Sequence, residues 1–241
     1  MQIWSVTHQG KVRKQNEDSH AFFQPEPSRC FALVCDGMGG AKAGEVASRL
    51  AVERISTLLK QTEDWSGDPE QLLRKCCSEA NRTVFLRAST DRECEGMGTT
   101  LVAAMVLEEQ AWILNVGDSR AYHISEKDGI RRLTRDHSVV EAMVERGEIS
   151  PEEARLHPQK NLITRVLGTD PSTVGDLYQV SLEASDFLLL CSDGLSNLLD
   201  DEEIACEVLH GGDPEGCCQR LLQIVLDRGA PDNVTAVLLC R

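Results

Sequence analysis

The amino-acid sequence predicts an α+β fold built around antiparallel strands. Short apolar runs recur along the chain, and their length and β-branched content favour buried strands. The helical patterns come in blocks instead of one after each strand, which disfavours a regular parallel βαβ winding. Short turn-like links at Glu108-Glu109 and at Asp128-Gly129 join neighbouring runs, as in antiparallel hairpins. A chain of 241 residues is long enough to bury one large core.

Five apolar runs carry the strand prediction. Each is too short for a typical helix, and its flanks contain glycine, aspartate or other turn-forming residues. The predicted strands are Phe31–Cys35, Thr99–Leu107, Ala111–Val116, Phe187–Cys191 and Asn233–Cys240.

Three segments show the apolar repeat that is typical of helices. The first has its stripe between Val46 and Leu59. The second begins at Asp68-Pro69, where an N-cap residue precedes a first-turn proline. The third runs through Leu221–Val225 and is expected to stop at Gly229, because glycine is common just beyond helix ends.

The stretch from about 138 to 174 differs from the rest of the chain. It contains Ser150-Pro151, His157-Pro158 and Asp170-Pro171, which leave room for only short helical pieces. We therefore expect a flap at 138–174 and not a second domain. The sequence shows no internal repeat, low-complexity tract or linker, so residues 1–241 are predicted to form one domain.

Composition excludes several classes of function. The chain has 39 acidic and 25 basic residues, a formal net charge of −14 and a pI of about 4.9. Nucleic acids and anionic membrane surfaces both require a basic face, so neither is an expected partner. No apolar run approaches the ~18 residues of a membrane span, and Gln2–Gln9 does not resemble a signal peptide. We expect a monomer in the cytoplasm.

The ten cysteines do not form the pattern of a disulfide framework. Cys76-Cys77 and Cys217-Cys218 are adjacent pairs in helix-like segments, where two thiols have poor geometry for a bridge. The sequence has no Cys-x-x-Cys motif, which argues against a thiolate zinc site. A reduced, intracellular protein is the simpler interpretation.

Acidic residues stand at the ends of the predicted strands. Asp36-Gly37, Gly117-Asp118 and Asp193-Gly194 each follow an apolar run, Asp232 precedes the last run, and Glu17-Asp18 lies near the start of the chain. A single Asp-Gly pair after a strand is most often only a turn. Five such groups in one domain would nevertheless bring several carboxylates together if the strand ends converge.

Converging carboxylates would repel one another unless cations were bound between them. All-oxygen ligation suits Mg²⁺ or Mn²⁺, and a glycine beside an aspartate lets a backbone carbonyl approach such an ion. Two ions ~3.5–4 Å apart can hold a water, lower its pKa and clamp a phosphoryl oxygen. The pattern therefore indicates metal-assisted phosphate hydrolysis without a protein nucleophile.

Six motifs occur in an order that is similar to that of a known family. They are Arg13-Lys14-Gln15-Asn16-Glu17-Asp18, Asp36-Gly37-Met38-Gly39-Gly40, Gly98-Thr99-Thr100, Asn115-Val116-Gly117-Asp118-Ser119-Arg120, Ser192-Asp193-Gly194-Leu195 and Asp232-Asn233-Val234-Thr235. From Val6 to Leu239 the chain resembles the metal-dependent protein serine/threonine phosphatases of the PPM (phosphatase 2C) family, in their compact bacterial form. The resemblance implies an α/β/β/α four-layer sandwich, with two central antiparallel β-sheets flanked by helices. It also implies hydrolysis of phosphoserine and phosphothreonine in phosphoproteins, opposing a serine/threonine kinase.

The resemblance further implies a binuclear Mn²⁺ or Mg²⁺ site at one edge of the sandwich. Asp36 would bridge both ions, with the carbonyl of Gly37 on one of them. Asp193 and Asp232 would bind the other ion, and Glu17-Asp18 would act near the first, partly through water.

Other residues of the motifs receive supporting roles from the same resemblance. Asp118 would hold a third, weaker ion together with Asp193. Arg13 would bind the substrate phosphate, because its planar fork suits two phosphate oxygens and a lysine could not reproduce it. Thr99-Thr100 is interpreted as a pair of β-formers, and Asn233 as a brace for the turn at the neighbouring aspartate.

The sequence departs from the family at the expected general acid. Members commonly carry a histidine directly after the Asp-Gly-Met-Gly-Gly run or between its glycines, and these positions are Ala41 and Met38 here. His157 in the flap is a possible substitute proton donor, a metal-bound water is another, and His137 is interpreted as a structural residue at the flap base. Aryl phosphates, whose phenolate leaves without a proton, should then be hydrolysed comparatively well and seryl phosphates less well.

Two other functions compete with the phosphatase. An aspartyl-phosphate phosphotransferase would need an Asp-x-Asp arrangement, and Asp36-Gly37-Met38 lacks the second aspartate. A regulatory binding module that has lost its metals is favoured by Ala41 and disfavoured by intact Asp36, Asp193 and Asp232. Hydrolysis of p-nitrophenyl phosphate with and without Mn²⁺ would distinguish these hypotheses.

Overall fold

Two antiparallel β-sheets pack face to face in the computed structural model, which describes residues 1–39, 43–62, 64, 65 and 67–241. Helices cover the outer face of each sheet, so the order of layers is α/β/β/α, as the family resemblance implied. In chain order the strands are β1 (Gln2–His8), β2 (Asp18–Glu26), β3 (Arg29–Met38), β4 (Gly98–Thr99), β5 (Leu101–Leu107), β6 (Gln110–Val116), β7 (Arg120–Ser125), β8 (Gly129–Arg132), β9 (Asp176–Ser181), β10 (Phe187–Cys191) and β11 (Val234–Cys240).

The strand order places the first and last parts of the chain side by side. One sheet has the order β1-β11-β10-β7-β8, and the other has β2-β3-β5-β6-β9, with β4 pairing the end of β3. Every pairing within these sheets is antiparallel. The predicted hairpins are confirmed: β5 and β6 join through Glu108-Glu109, and β7 and β8 join through the turn that ends at Gly129.

The helices are divided between the two outer faces and the flap. Helices α1 (Ala43–Gln61) and α2 (Pro69–Thr90) pack on the sheet that contains β3, whereas α5 (Asp193–Ser196), α6 (Asp201–His210) and α7 (Pro214–Asp227) cover the other sheet. The flap carries α3 (Val139–Glu145) and α4 (Pro151–Leu156). Among the described helices, none is long and apolar enough to cross a membrane.

Central strands are apolar on both faces because each face meets a different layer. Along β3, the side chains of Phe31 and Leu33 pack against the helices, and those of Ala32 and Val34 pack between the sheets. This double burial explains why the strands appear as continuous apolar runs and not as alternating patterns.

The ten cysteines are all free thiols, as expected.

Most predicted elements are confirmed, with small changes at their ends. The Asp68 side chain accepts a 2.9 Å hydrogen bond from the Gln71 amide and caps α2. The predicted strand Thr99–Leu107 is interrupted at Thr100: Thr99 belongs to β4, which pairs with the end of β3, and β5 begins at Leu101. Ser150 caps α4 and the following proline begins it, so this part of the flap contains a short helical piece, as expected.

Sequence analysis missed several half-exposed or polar elements. The mixed polar segment Gln2–Gln9 was given no secondary structure, yet its residues Gln2–His8 form the edge strand β1, which pairs with β11. Strand β7 was predicted only as one arm of the hairpin at Asp128-Gly129 and without bounds, because its buried side chains include the polar residues Tyr122 and His123. Helix α6 begins with a capping box between Asp200 and Glu203, a signal that could have revealed it.

Candidate active site

Acidic side chains from distant segments meet at one edge of the sandwich. Asp36, at the end of β3, lies opposite Asp18, at the start of β2, in the antiparallel register. Asp193 follows β10, and Asp232 precedes its neighbour β11. Burial raises the pKa of Asp36 well above its usual value, and the charges of Asp18, Asp193, Asp118 and Asp232 raise it further. The strand-end aspartates therefore share one electrostatic environment centred on Asp36.

The other carboxylates of this group are also held in surroundings that disfavour their charge. Burial raises the pKa of Asp18 to about 7 and the pKa of Asp193 to about 6. Burial likewise raises the pKa of Asp118 well above its usual value, with Asp193 adding to the effect. Burial and mutual repulsion therefore disfavour the ionised forms of these carboxylates, an effect that a cation bound between them would offset.

Two carboxylate oxygens in the site have no hydrogen-bond donor among the described residues. They are Oδ1 of Asp18 and Oδ1 of Asp118, and both side chains are buried. Asp18 uses only its other oxygen, Oδ2, to accept a 2.7 Å hydrogen bond from Ser192 Oγ. A buried oxygen without a donor is costly unless a cation or water satisfies it.

A small space beside Glu17 and Gly37 is kept open by Gly44 at the start of α1. A Cβ atom on Gly44 would lie 2.6 Å from Glu17 Oε1 and 2.8 Å from the Gly37 carbonyl oxygen. Both oxygens were predicted to act at the same metal ion. The space that they share would be filled by any side chain at position 44.

These residues fit a pair of hard divalent cations. Their donors are oxygens, two of which are unsatisfied, and their mutual repulsion calls for positive charge. The side chains do not close into a ready-made cage: among the described residues, no three His, Cys, Asp or Glu side chains converge on one metal position. Backbone carbonyls and water must then complete the coordination, which suits Mg²⁺ and Mn²⁺.

Arg13 brings a cation to the same edge from the loop between β1 and β2. Its Nη2 lies 2.7 Å from Asp232 Oδ2, and half of its side chain is exposed. The hydrogen bond to Asp232 raises the pKa of Arg13, and the charges of Glu17 and Asp36 act in the same direction. The guanidinium is thus anchored at one end and accessible at the other.

Asn233 fixes that loop against the last strand. Its Nδ2 donates to the carbonyls of Gln9 and Gln15, each at 2.8 Å, and its Oδ1 accepts from the Glu17 amide at 2.8 Å. The side chain was expected to brace the turn at Asp232, and it instead ties the loop of Arg13 to β11. Only its backbone amide bonds to Asp232 Oδ1, at 2.8 Å.

Hydroxyl groups hold the backbone of Asp36 on both sides. Thr100 Oγ1 accepts from the Asp36 amide at 2.9 Å and is hydrogen-bonded to Ser119 Oγ at 2.7 Å. Thr99 Oγ1 donates to the Asp36 carbonyl at 2.9 Å. The threonines were interpreted as β-formers only, and the structure shows that they also position the central aspartate.

A cleft of about 660 Å³ leads from this edge toward the flap. One wall is formed by α3 and α4, and the other by α5 and the start of α6. Arg155 of α4 crosses between the walls, with Nη2 3.3 Å from the Leu199 carbonyl oxygen. Residues lining the cleft include Asp118, Arg120, Glu141, Arg155, Asp193 and Glu202.

The histidine candidates lie in different surroundings. His157 ends α4, and its Nδ1 accepts a 3.2 Å hydrogen bond from the Gln159 amide. His137 is buried at the flap base, where its ring is hydrogen-bonded on both sides, and burial lowers its pKa. Met38 lies at the end of β3, and Ala41 lies outside the described residues.

Comparison with known proteins gives a match over most of the chain. The model of a family described as protein phosphatase 2C matches residues 7–232. The serine/threonine phosphatase stp of Listeria innocua is 42% identical over 241 residues, which cover 98% of this chain and 94% of that protein.

Solved structures show the same architecture. The serine/threonine phosphatase Stp1 from Staphylococcus aureus has a TM-score of 0.94 at 39% identity and covers 99% of this chain and 94% of its own. The catalytic domain of the serine/threonine protein phosphatase PstP, solved in complex with two manganese ions, has a TM-score of 0.86 at 32% identity. That comparison covers 98% of this chain and 96% of the PstP chain.

Proposed function

The chain belongs to the protein phosphatase 2C family, and we propose from this premise that it hydrolyses phosphoserine and phosphothreonine in proteins. The observation that carries the proposal is the meeting of Asp18, Asp118, Asp193 and Asp232 around Asp36 at one edge of two sheets. Phosphoryl transfer depends chiefly on positioning and on stabilisation of negative charge. An acidic site can provide both only when divalent cations are bound.

The proposed metal ligands are the residues named from the sequence. Asp36 and the Gly37 carbonyl, with Glu17 and Asp18 nearby, hold one ion, and Asp193 and Asp232 help to hold the second. When bound, a pair of Mn²⁺ or Mg²⁺ ions supplies Lewis-acid stabilisation and makes water a nucleophile at neutral pH. Asp118, with an unsatisfied buried oxygen next to Asp193, is the proposed ligand of a third, weaker ion.

Arg13 is the proposed phosphate-binding residue. Its guanidinium has five donors, and the pairing with Asp232 uses only one nitrogen of the fork. The remaining donors face solvent beside the carboxylates and suit two oxygens of a phosphate group. Asn233 keeps the loop of Arg13 in place through bonds to Gln9 and Gln15.

Proton delivery to the leaving alkoxide is the least conventional part of the proposed reaction. His157 is a candidate donor because it lies on the flap, although its ring nitrogen accepts a bond within its own turn. With Ala41 and Met38 at the positions where the family resemblance implies a histidine, we propose that aryl phosphates are favoured over seryl phosphates. A phenolate needs no proton to leave.

The biological setting is also a proposal. The protein acts as a cytoplasmic monomer on phosphoproteins that a serine/threonine kinase has modified, in signal transduction. Residues 1–241 form one domain, and the flap at 138–174 contacts the substrate.

The test is a metal-dependent assay on purified protein. Phosphoserine and phosphothreonine peptides should release phosphate with Mn²⁺ and not with excess EDTA. Asp36→Asn and Asp193→Asn should reduce the rate to background while the fold, followed by circular dichroism, is retained. Asp128→Asn is the matched control, because Asp128 is exposed in the turn between β7 and β8. Wild-type protein that is inactive with both Mn²⁺ and Mg²⁺ would contradict the proposal.

A further inference from the structure

His137 joins the start of the flap to the turn that carries Asp118. Its backbone amide donates to the Gly117 carbonyl at 2.9 Å, and its Nδ1 accepts from the Gly117 amide at 3.0 Å. Both polar atoms of Gly117 are therefore held by one residue. His137 itself is only 8% exposed, so water does not compete effectively for these bonds.

The other side of the ring is bound to the strand that follows the flap. Because Nδ1 accepts a hydrogen bond, the ring proton lies on Nε2, which donates to Asp176 Oδ2 at 3.1 Å. Arg165 Nη1 also lies 3.0 Å from Nε2, and because Nε2 carries the proton this nitrogen donates not to the ring but to Asp176 Oδ1, at 2.8 Å. The imidazole thus spans the Gly117 turn and the first residue of β9.

The turn has little freedom to adjust on its opposite side. Gly117 has a φ of +107°, and a Cβ atom there would lie 2.6 Å from Thr100 Cγ2. Thr100 is the residue whose Oγ1 accepts from the Asp36 amide. A displacement of the Gly117 peptide would therefore carry Asp118 with it and would press on the residue that holds Asp36.

We propose that His137 is a positioning residue that fixes the Gly117 peptide and thereby holds the Asp118 carboxylate in the cleft at a set distance from the flap. The inference rests on the proposed function, in which Asp118 binds a divalent cation. Asp118 lines the cleft, and its Oδ1 is buried without a donor among the described residues. Because no donor among the described residues holds this oxygen, the orientation of the Asp118 carboxylate depends on the conformation of its own backbone.

Two substitutions separate the two sides of the imidazole. His137→Asn keeps an acceptor near the position of Nδ1 and loses the donor to Asp176, whereas His137→Gln keeps a donor near Nε2 and loses the acceptor for Gly117. His123→Gln is the matched control. His123 is also buried, with Nε2 2.8 Å from Asp186 Oδ2, at the end of β10 farthest from Asp193.

Amide hydrogen exchange of the metal-free proteins gives a readout that does not depend on activity. In His137→Gln the Gly117 amide should exchange about tenfold faster or more, because a donor without a partner exchanges more readily. His137→Asn and His123→Gln should leave this amide close to wild type. The Mn²⁺ concentration for half-maximal hydrolysis of a phosphopeptide should rise about tenfold in His137→Gln, since groups that orient a metal ligand commonly change affinity 10- to 100-fold.

The results that overturn the inference are distinct from those that overturn the phosphatase. Equal exchange of the Gly117 amide in His137→Gln and wild type would remove the proposed contact, whatever the activity. If the Gly117 amide exchanges faster in His137→Gln but the Mn²⁺ requirement is unchanged, His137 stabilises the fold and does not position Asp118. The same conclusion follows if the Mn²⁺ requirement rises equally in His123→Gln. Wild-type protein without Mn²⁺-dependent activity would overturn the proposed function, and the exchange data would still decide the contact.

Discussion

The hydroxyl of Ser192 donates a 2.7 Å hydrogen bond to Oδ2 of Asp18 and so links the two sheets at the acidic edge. Ser192 follows β10 of one sheet, and Asp18 begins β2 of the other. The same hydroxyl accepts from the Thr235 amide at 2.9 Å, which fixes its direction. Ser192 therefore supports a carboxylate, in agreement with the expectation of hydrolysis without a protein nucleophile.

Replacing Ser192 by alanine should weaken both the fold and the metal site. The change leaves the Thr235 amide without its buried acceptor and Asp18 with one donor fewer, at a cost of about 1–3 kcal/mol in the free energy of unfolding. Urea denaturation and the Mn²⁺ dependence of activity measure the two effects. Ser89→Ala, on the exposed end of α2, is the control and should change neither quantity.

Arg13→Ala should lower kcat/KM for phosphopeptides by roughly 10- to 100-fold. This loss corresponds to the free energy of one hydrogen bond between charged groups, or slightly more. Arg13→Lys should recover only part of this loss, because an ammonium group cannot engage two phosphate oxygens with a planar fork. Steady-state kinetics with Lys14→Ala as the exposed neighbouring control gives the comparison. Equal effects of the substitutions at 13 and 14 would indicate a general surface charge and not a phosphate ligand.

Gly194→Ala should be strongly destabilising. A Cβ atom at this position would lie 1.9 Å from the backbone oxygen of Asn233, and backbone atoms cannot rotate away as a side chain can. We expect a loss of about 3 kcal/mol or more in unfolding free energy, together with loss of activity, because Asp193 and Asn233 both move. Gly67→Ala, where the described residues other than the chain neighbours place no atom within 4 Å of the added carbon, should cost less than about 0.5 kcal/mol.

Ala41→His should increase turnover of phosphoserine peptides more than turnover of p-nitrophenyl phosphate. A histidine there supplies a proton to an alkoxide, whose departure depends on it, and is not needed by a nitrophenolate. The ratio of the two kcat values in wild type and variant is the measurement. Equal acceleration of both substrates would mean that the residue acts in some way other than proton donation.

The Glu203–Arg228 pair should stabilise the protein in a pH-dependent manner. The hydrogen bond from Arg228 lowers the pKa of Glu203 from 4.5 to about 2. The folded state thus holds this proton less tightly than the unfolded chain, so the contribution is complete above pH 4.5 and is lost as the pH falls toward 2. Glu203→Gln preserves the capping box of α6, because the amide oxygen can still accept a hydrogen bond. Acid denaturation should show that the difference in unfolding free energy between this variant and wild type becomes smaller as the pH falls from 4.5 toward 2. The deficit should be small, because both side chains are exposed by more than a third.

The elements that could be predicted from the sequence are those buried on both faces and those fixed by local contacts. Phe187–Cys191 is buried on both faces and was predicted to its last residue, and Asp68 was predicted as a cap because capping is local. Strand β1 was missed because an edge strand gains its order from pairing with β11, a partner more than two hundred residues away. The local sequence of β1 gives no information about a pairing partner so distant in the chain.

The candidate site shows the same division. The meeting of Asp36 and Asp193 at one edge could be predicted, because each stands at the end of a buried strand beside a glycine. The three bonds of Asn233 to the loop before β2 could not be predicted, since they depend on how the loop folds back on β11. The contact of Arg13 with Asp232 likewise arises only once the first and last strands are adjacent.

Strand β11 lies between β1 and β10, although it comes after all the other described strands in chain order. Until β11 has been synthesised, β1 and β10 both lack the strand that pairs with them, and their facing edges stay open. Asp232 directly precedes β11, so the acidic edge gains this carboxylate only with the same segment. A chain cut before β11 would therefore lose an interior strand and one aspartate of the acidic edge together.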